Sequence, residues 1–414
     1  MAEPDHLPRV DTSDNHVHAG SVRRAGVSLG LVVVVGLGAC TSNDGAEPTA
    51  GTGTTTTTDG GRAPDPATAV LDPAEAAPLQ AVLAKVVRLN ATIPEAETAA
   101  RGITAAVVTD KWTWSGAAGV DAVGTTLVPT TMLGAASITK TFIAAEVVLL
   151  AKAGKLDLDA PLSQHVPHRL TRNNATVRQH LAMRSGVSDF QEENYVKLDQ
   201  AVAAAPGRHW TAEQTLAYHT GPVLPPDSQF SYSNASYLLL GLLIEKVGGQ
   251  PLATALRRDL AEPAGLERAA FQDGEKPLPP LAEDRNPTCG KAVDGFAPCR
   301  GFASSIAAAG GLAADAPTLA RWGYELYGGR VGPSDLVREL MDGVDYGLGT
   351  FLYTTKFGNY TAYGHPGGLP DYTSMLVAVP ERRLSVAVLV ADGGKNAEQL
   401  TGELIRAAVP LLGS

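Results

Sequence analysis

Ser137 and Lys140 stand three residues apart in Gly134-Ala-Ala-Ser-Ile-Thr-Lys-Thr-Phe142. Ile138, Phe142, Ala145 and Leu149 recur at helical period, which predicts a helix after Ser137. Positions i and i+3 share a helix face, so the Lys140 amine comes within reach of the Ser137 hydroxyl. A serine hydroxyl attacks a carbonyl near neutral pH only with a base beside it. A lysine serves as that base when burial lowers its pKa, and the apolar walls of this helix supply burial. Alone the pair is a weak signal. Serine and lysine at this spacing arise by chance in a chain this long, with the lysine then facing solvent.

Two further polar groups follow in order. Phe230-Ser-Tyr-Ser-Asn-Ala-Ser-Tyr237 presents Tyr232 and Asn234 just before the apolar run Leu238 to Ile244. A phenol near a lysine takes or gives a proton, and an amide holds either a carbonyl oxygen or the lysine itself. Tyr363-Gly-His-Pro-Gly-Gly-Leu-Pro370 then precedes the strand-like stretch Tyr372 to Val379. Small residues after His365 would let a substrate approach a strand backbone whose free N–H groups hold an oxyanion. Each fragment has a bland alternative, a capped turn or a glycine-proline loop. Three together, in this order, point to one site.

With these residues the chain resembles the serine β-lactamase and penicillin-binding-protein superfamily, in the branch of class C β-lactamases, D-alanyl-D-alanine carboxypeptidases and related esterases. The resemblance covers nearly all of residues 72–414. It extends to Gly154-Lys-Leu-Asp-Leu-Asp-Ala-Pro161, to Thr176-Val-Arg-Gln-His-Leu-Ala-Met-Arg-Ser-Gly-Val187, to Ala309-Gly-Gly-Leu312 and to Tyr346-Gly-Leu-Gly349. It implies that Ser137 is the acylated nucleophile and Lys140 its proton acceptor. Tyr232 would pass the proton to the leaving group, and Asn234 would hold the substrate carbonyl or orient Lys140. His365 stands where many relatives carry lysine and would be a third electropositive or proton-relaying group. The N–H groups of Ser137 and Gly368 would form the oxyanion hole, with Pro366 and Gly367 lining the substrate. No metal or organic cofactor is implied.

Departures from the family pattern bear on substrate class. Relatives acting on β-lactams or D-alanyl peptides usually place a hydroxyl after the lysine or histidine, where it holds a carboxylate. Pro366 stands there instead, with neither hydroxyl nor N–H. The missing charge-assisted hydrogen bond is worth roughly 1.5–3 kcal/mol. Histidine for lysine further weakens fixed positive charge near pH 7. Both changes favour an esterase or amidase-like hydrolase, cell-wall peptide being among its candidate substrates. The alternatives are a β-lactamase or D-alanyl-D-alanine carboxypeptidase. A non-enzymatic cell-wall-binding or sensor module is the competing class, against which the intact Ser137, Lys140, Tyr232 and Asn234 set argues.

The chain's 414 residues are 44% hydrophobic, enough for a large core, and its net charge of −10 argues against nucleic acid as a partner. Arg23-Arg24 precede the apolar run Val27 to Leu37, too short for a membrane span but suited to a signal core. Leu37-Gly-Ala-Cys40 resembles the lipobox of bacterial lipoproteins, which predicts a signal over 1–39 and lipidation of Cys40; residues 1–21 are polar and long for a signal n-region, which points to a start near Val22 as the alternative to Met1. An uncleaved anchor or plain secretory signal is the alternative. Residues 40–71, rich in threonine, glycine and proline, read as a disordered tether with almost nothing to bury. The expected location is extracytoplasmic, with the protein held to the membrane by lipid, monomeric, and acting on a small-molecule or peptide substrate. Cys289 and Cys299 remain as an even pair in an oxidising compartment, and a disulfide is the better reading than zinc.

Positioning these groups requires a scaffold. Leu79, Val82, Leu83, Val86 and Val87 give an amphipathic helix after Asp72-Pro73. Ile103 to Val108 and Trp112 to Ala117 read as a hairpin across Asp110-Lys111. Tyr346 to Tyr353, Tyr360 to Tyr363, Tyr372 to Val379 and Leu384 to Val390 read as strands, closed by a helix over Ala397 to Leu411. The expected fold is α+β: one antiparallel sheet built from both ends of residues 72–414, with a mainly helical lobe inserted at about 156–341.

Overall fold

The computed structural model describes residues 62–413 apart from 287 and 291–293. The signal segment, Cys40 and most of the tether lie outside the described residues.

The strands are β1 (Gly102–Thr109), β2 (Thr113–Gly119), β3 (Leu133–Gly134), β4 (Ala269–Phe271), β5 (Leu312–Ala314), β6 (Phe351–Tyr353), β7 (Ala362–Gly368), β8 (Thr373–Val379) and β9 (Leu384–Val390). The helices are α1 (Ala77–Thr92), α2 (Thr139–Lys152), α3 (Val177–Leu181), α4 (Glu192–Ala204), α5 (Ala212–Leu216), α6 (Asn234–Gly248), α7 (Leu252–Leu256), α8 (Arg300–Gly310), α9 (Ala316–Tyr327), α10 (Leu336–Met341) and α11 (Ala397–Ala408). Six strands make an antiparallel sheet in the order β2-β1-β9-β8-β7-β6. β1 joins the two ends of the fold, pairing Ile103 with Ala118 on one side and Val390 on the other.

Alternation along these strands sends side chains to two cores. Ile103, Ala105, Val107, Val377, Val386 and Val388 pack under α1 and α11 with Leu79, Leu83, Leu400 and Leu404. Ala106, Val108, Leu376, Ala387 and Leu389 join the larger core with Leu319, Trp322 and Phe142. The nucleophile helix α2 is buried over most of its length, and Phe142 stacks on Trp322 with centroids 3.9 Å apart. This is the expected α+β arrangement, with one antiparallel sheet built from both ends of the folded chain and helices inserted between them.

Several boundaries differ from the sequence reading. Residues 62–71 belong to the folded body, so its edge lies before 72. Ala67 N–H donates to Thr109 O, Leu71 N–H to Thr113 O, and Leu71 is buried. Arg330 bonds Asp65 and the Ala63 carbonyl. Backbone and ionic bonds hold a segment whose composition offers little to bury. The stretch 156–341 includes α9, which lies on the large sheet and not in the inserted lobe. A small sheet, β3-β5-β4, is also present. Strands of two or three residues carry no readable alternation. Tyr346 to Tyr353 is extended only over β6, and β7 runs through His365 to Gly368 where a loop had been as plausible. Cys289 and Cys299 are joined by a disulfide.

Candidate active site

Ser137 sits in a 3-10 turn, Ala136–Ile138, between β3 and α2. The turn is gripped from both sheets. Ala135 N–H donates to Leu312 O at 2.8 Å, and Ser374 Oγ donates to Ala135 O at 2.8 Å. Thr139 Oγ1 donates to Ala136 O at 2.6 Å and accepts from Leu312 N–H at 3.0 Å. Ala136 is held at φ +52°, left-handed for a residue with a Cβ, at a cost of roughly 1–2 kcal/mol. The neighbouring bonds hold that strained residue directly before the nucleophile.

Lys140 opens α2 on the same face. Its Nζ lies 3.0 Å from Ser137 Oγ, and it donates to Asn234 Oδ1 at 2.9 Å and to Ala309 O at 2.6 Å. Burial lowers its pKa from 10.5 to about 7, against an opposing pull from Asp189. Near pH 7 a large fraction of this amine is neutral, with a lone pair for the Ser137 proton. The rings of Tyr232 and Tyr237 face it, with centroids at 4.9 and 5.4 Å.

Tyr232 comes from the loop before α6. Burial pushes its pKa well above the ordinary tyrosine value, with the nearby Ser137 hydroxyl opposing. The phenol is therefore neutral, and apart from the Ser137 hydroxyl beside it its buried oxygen has no partner among the described residues. It is free to donate to a leaving atom or accept from one, while the base role falls to Lys140.

Asn234 begins α6, capped by Ser233, whose hydroxyl accepts from Ser236 N–H. Of the two roles open to it, the geometry gives the lysine. Its Oδ1 accepts from Lys140, and its Nδ2 donates to Asp189 Oδ2 at 2.9 Å and to the Tyr195 hydroxyl at 3.0 Å.

His365, Pro366, Gly367 and Gly368 form the end of β7. Leu369 and Tyr372 bond each other across the turn to β8, so by the antiparallel alternation Gly368 and Pro366 aim their backbone groups away from β8. β6 pairs with β7 only as far as Gly364, which leaves that edge open beyond it. Gly368 N–H thus stands free at the edge, and Pro366 lacks an N–H that no ladder bond would have used. Gly367 serves a different end from admitting substrate. A Cβ there would lie 2.4 Å from Ala135 O and 3.1 Å from Ala136 Cβ, so the missing side chain lets β7 press onto the nucleophile turn.

For His365 the electropositive half of the expectation is corrected. It is fully buried beside Tyr232, Tyr346 and Phe351, and its Nδ1 lies 2.6 Å from Pro366 O. Burial, then the Lys140 charge, pushes its pKa down to about 3. An imidazole so placed is neutral, and it supplies shape and a weak contact to the Tyr346 hydroxyl at 3.4 Å instead of positive charge.

Asp189 and Tyr195 had no role assigned from the sequence, and the Ala309 carbonyl lies in the family-like stretch Ala309-Gly-Gly-Leu312, whose function the sequence did not give. Ala309 follows a break in α8 at Ala307, where φ is 7° and ψ is −100°. A polar pair at Asp189 and Tyr195 near the Ser185-Gly186 motif was the only available hint. Arg184 is exposed, while Asp371 is part-buried at the β7–β8 turn. Among the described residues no group of three or more metal-ligating side chains gathers.

A family model described as Beta-lactamase matches residues 79–409. The chain belongs to the Beta-lactamase family. Its residues 79–409 include the contact between Ser137 and Lys140. Solved structures of similar fold include D-amino acid amidase from Ochrobactrum anthropi, at 22% identity and TM-score 0.67, covering 81% of this chain and 98% of that one. A D-stereospecific amidohydrolase from Streptomyces is similar at 23% identity and TM-score 0.64, over 79% of this chain and 98% of that one. Protein flp of Staphylococcus aureus is 31% identical over 155 residues, 35% of this chain and 29% of its own length. Esterase EstB of Burkholderia gladioli is 29% identical over 156 residues, 35% of this chain and 40% of its own length. Both curated relatives are thus matched over well under two thirds of their length.

Proposed function

We propose that this protein hydrolyses esters or simple amides through an acyl-enzyme on Ser137, and does so outside the cytoplasm at the end of a lipid anchor on Cys40. The contact between a buried amine of pKa about 7 and the Ser137 hydroxyl carries the reading. Neutral Lys140 takes the Ser137 proton as Oγ bonds to the substrate carbonyl carbon. The carbonyl oxygen becomes an oxyanion facing the N–H groups of Ser137 and Gly368. The proton then passes from Lys140, by way of the neutral Tyr232 phenol, to the leaving alcohol or amine as its bond to carbon breaks. Water, deprotonated by the same amine, attacks the ester so formed and restores Ser137. Cell-wall peptide fits as a substrate class for a tethered enzyme.

Relatives named as an esterase and as amidases support ester and amide substrates. The β-lactamase or carboxypeptidase reading loses ground because His365 is neutral and Pro366 offers no hydroxyl to a carboxylate. A binding module would need no base at pKa 7. Intact-mass spectrometry after a fluorophosphonate should show one adduct, absent in Ser137→Ala. An adduct persisting in that variant overturns the assignment. Cys40→Ser should move the protein from the membrane fraction to the soluble one. Retention there would remove the lipid anchor from the proposal.

A further inference from the structure

Asn234 is the only side-chain amide in direct contact with Lys140 among the described residues, and both hydrogens of its Nδ2 are committed. Asp189 Oδ1 also accepts the Asn234 backbone N–H at 2.9 Å, and Asp189 Oδ2 accepts the Tyr195 hydroxyl at 2.9 Å. A carboxylate only accepts, and an amine or ammonium next to the amide donates. Turning the Asn234 amide over would therefore set oxygen against oxygen at Asp189 and nitrogen against the amine at Lys140. One orientation survives.

We infer that Asp189 and Tyr195 are positioning residues that fix Asn234 as a guide for Lys140, so that this amide grips the base and not the substrate. The inference rests on the serine-hydrolase reading and deepens it. Asp189 reaches α6 at both the backbone and the side chain of Asn234, so it couples the entry of that helix to α2. Its charge also opposes the effect of burial on Lys140. The other titratable groups facing the amine are Tyr232, Tyr237 and His365. The tyrosines are pushed up and the histidine down by burial, so none of the three changes charge near pH 7. Burial pushes the Asp189 carboxyl up as well, so the limb belongs to Lys140 where it persists in Asp189→Asn.

The test measures kcat and KM for p-nitrophenyl acetate between pH 5 and 9 in the full chain, with fluorophosphonate labelling alongside. In wild type the acid limb of kcat/KM should lie near pH 7. Asp189→Asn removes a negative charge, so the limb should move about one unit lower. Its plateau kcat should fall roughly ten- to hundredfold through loss of placement, with KM little changed. Tyr195→Phe keeps the charge and should leave the limb in place while lowering kcat more modestly. Should Asp189→Asn fail to fold, a Tyr195→Phe enzyme with wild-type kcat would overturn the inference by itself. An unmoved limb in folded Asp189→Asn, or a change in KM alone, would also overturn it. Absence of Ser137 labelling in wild type would instead sink the hydrolase reading, which keeps the two failures apart.

Discussion

Replacing Lys140 with methionine should abolish the chemistry and change the stability of the protein by an amount that depends on pH in a calculable way. Lys140 has a pKa of about 7 when folded, against 10.5 as its ordinary value. The unfolded chain therefore binds the extra proton between those values and the folded chain does not. Stability rises with pH through that window, and the penalty of burying the amine is fully present below pH 7 and gone above pH 10.5. Integrating the two titrations gives a penalty of roughly 5 kcal/mol at pH 6 and roughly 2 kcal/mol at pH 9. The methionine variant escapes it, but leaves Asn234 Oδ1 and Ala309 O without their donor, a loss of roughly 1–3 kcal/mol for each orphaned group. That loss does not vary with pH. The decisive quantity is thus the difference, a gain of roughly 3 kcal/mol more at pH 6 than at pH 9, read by urea unfolding of both proteins at each pH. Acylation should fall by roughly 10²–10⁴-fold, the share of a general base. Equal stability differences at the two pH values would refute the claim that the folded protein holds a depressed lysine.

Two other outcomes follow from the geometry. Wild-type enzyme should hydrolyse short aryl esters with higher kcat/KM than a chromogenic cephalosporin, and Pro366→Thr should shift that ratio toward the β-lactam by about one to two decades. Turnover of β-lactams by wild type at the rate of a dedicated resistance enzyme would defeat this. Gly367→Ala should destabilise the fold by roughly 1–3 kcal/mol, because the added carbon meets the Ala135 carbonyl and the Ser374 hydroxyl at 2.4 and 2.1 Å, and should slow acylation more than tenfold. A variant within twofold of wild type in both would show that β7 and the nucleophile turn are not so tightly apposed.

How much was legible before the structure depends on how local each feature is. Ser137 and Lys140 declare themselves because one helical turn sets their separation. β9 and β8 declare themselves because half of each strand's side chains must enter either core. The partners of Asp189 and Ala309 are invisible in the sequence because they lie 45 and 169 residues away, and nothing in an aspartate or an alanine carbonyl marks what it will meet. The fate of His365 was likewise unreadable. Its type suggests charge, while the surrounding Tyr232, Tyr346 and Phe351 rings decide otherwise. Residues 62–71 were misread for the same reason in reverse, since bonds supplied by Thr109, Thr113 and Arg330 are not written in the segment they hold.

The place of β1 in the large sheet has a consequence in time. A ribosome delivers β1 early, yet one of its two neighbours, β9, is among the last strands made, and Ile103 waits for Val390. Closing so long a loop precedes any reward from the contacts it brings, which makes this pairing a late step of folding. β7, with Gly368 at its open edge, reaches β1 only through β8 and β9. Ser137 and Lys140 meet within one turn of nascent helix, but β7, paired with β6 and β8, is joined to β1 only when Leu384–Val390 arrives. Topology thus makes the last strand of the chain the one that joins the site's edge strand to the rest of the large sheet.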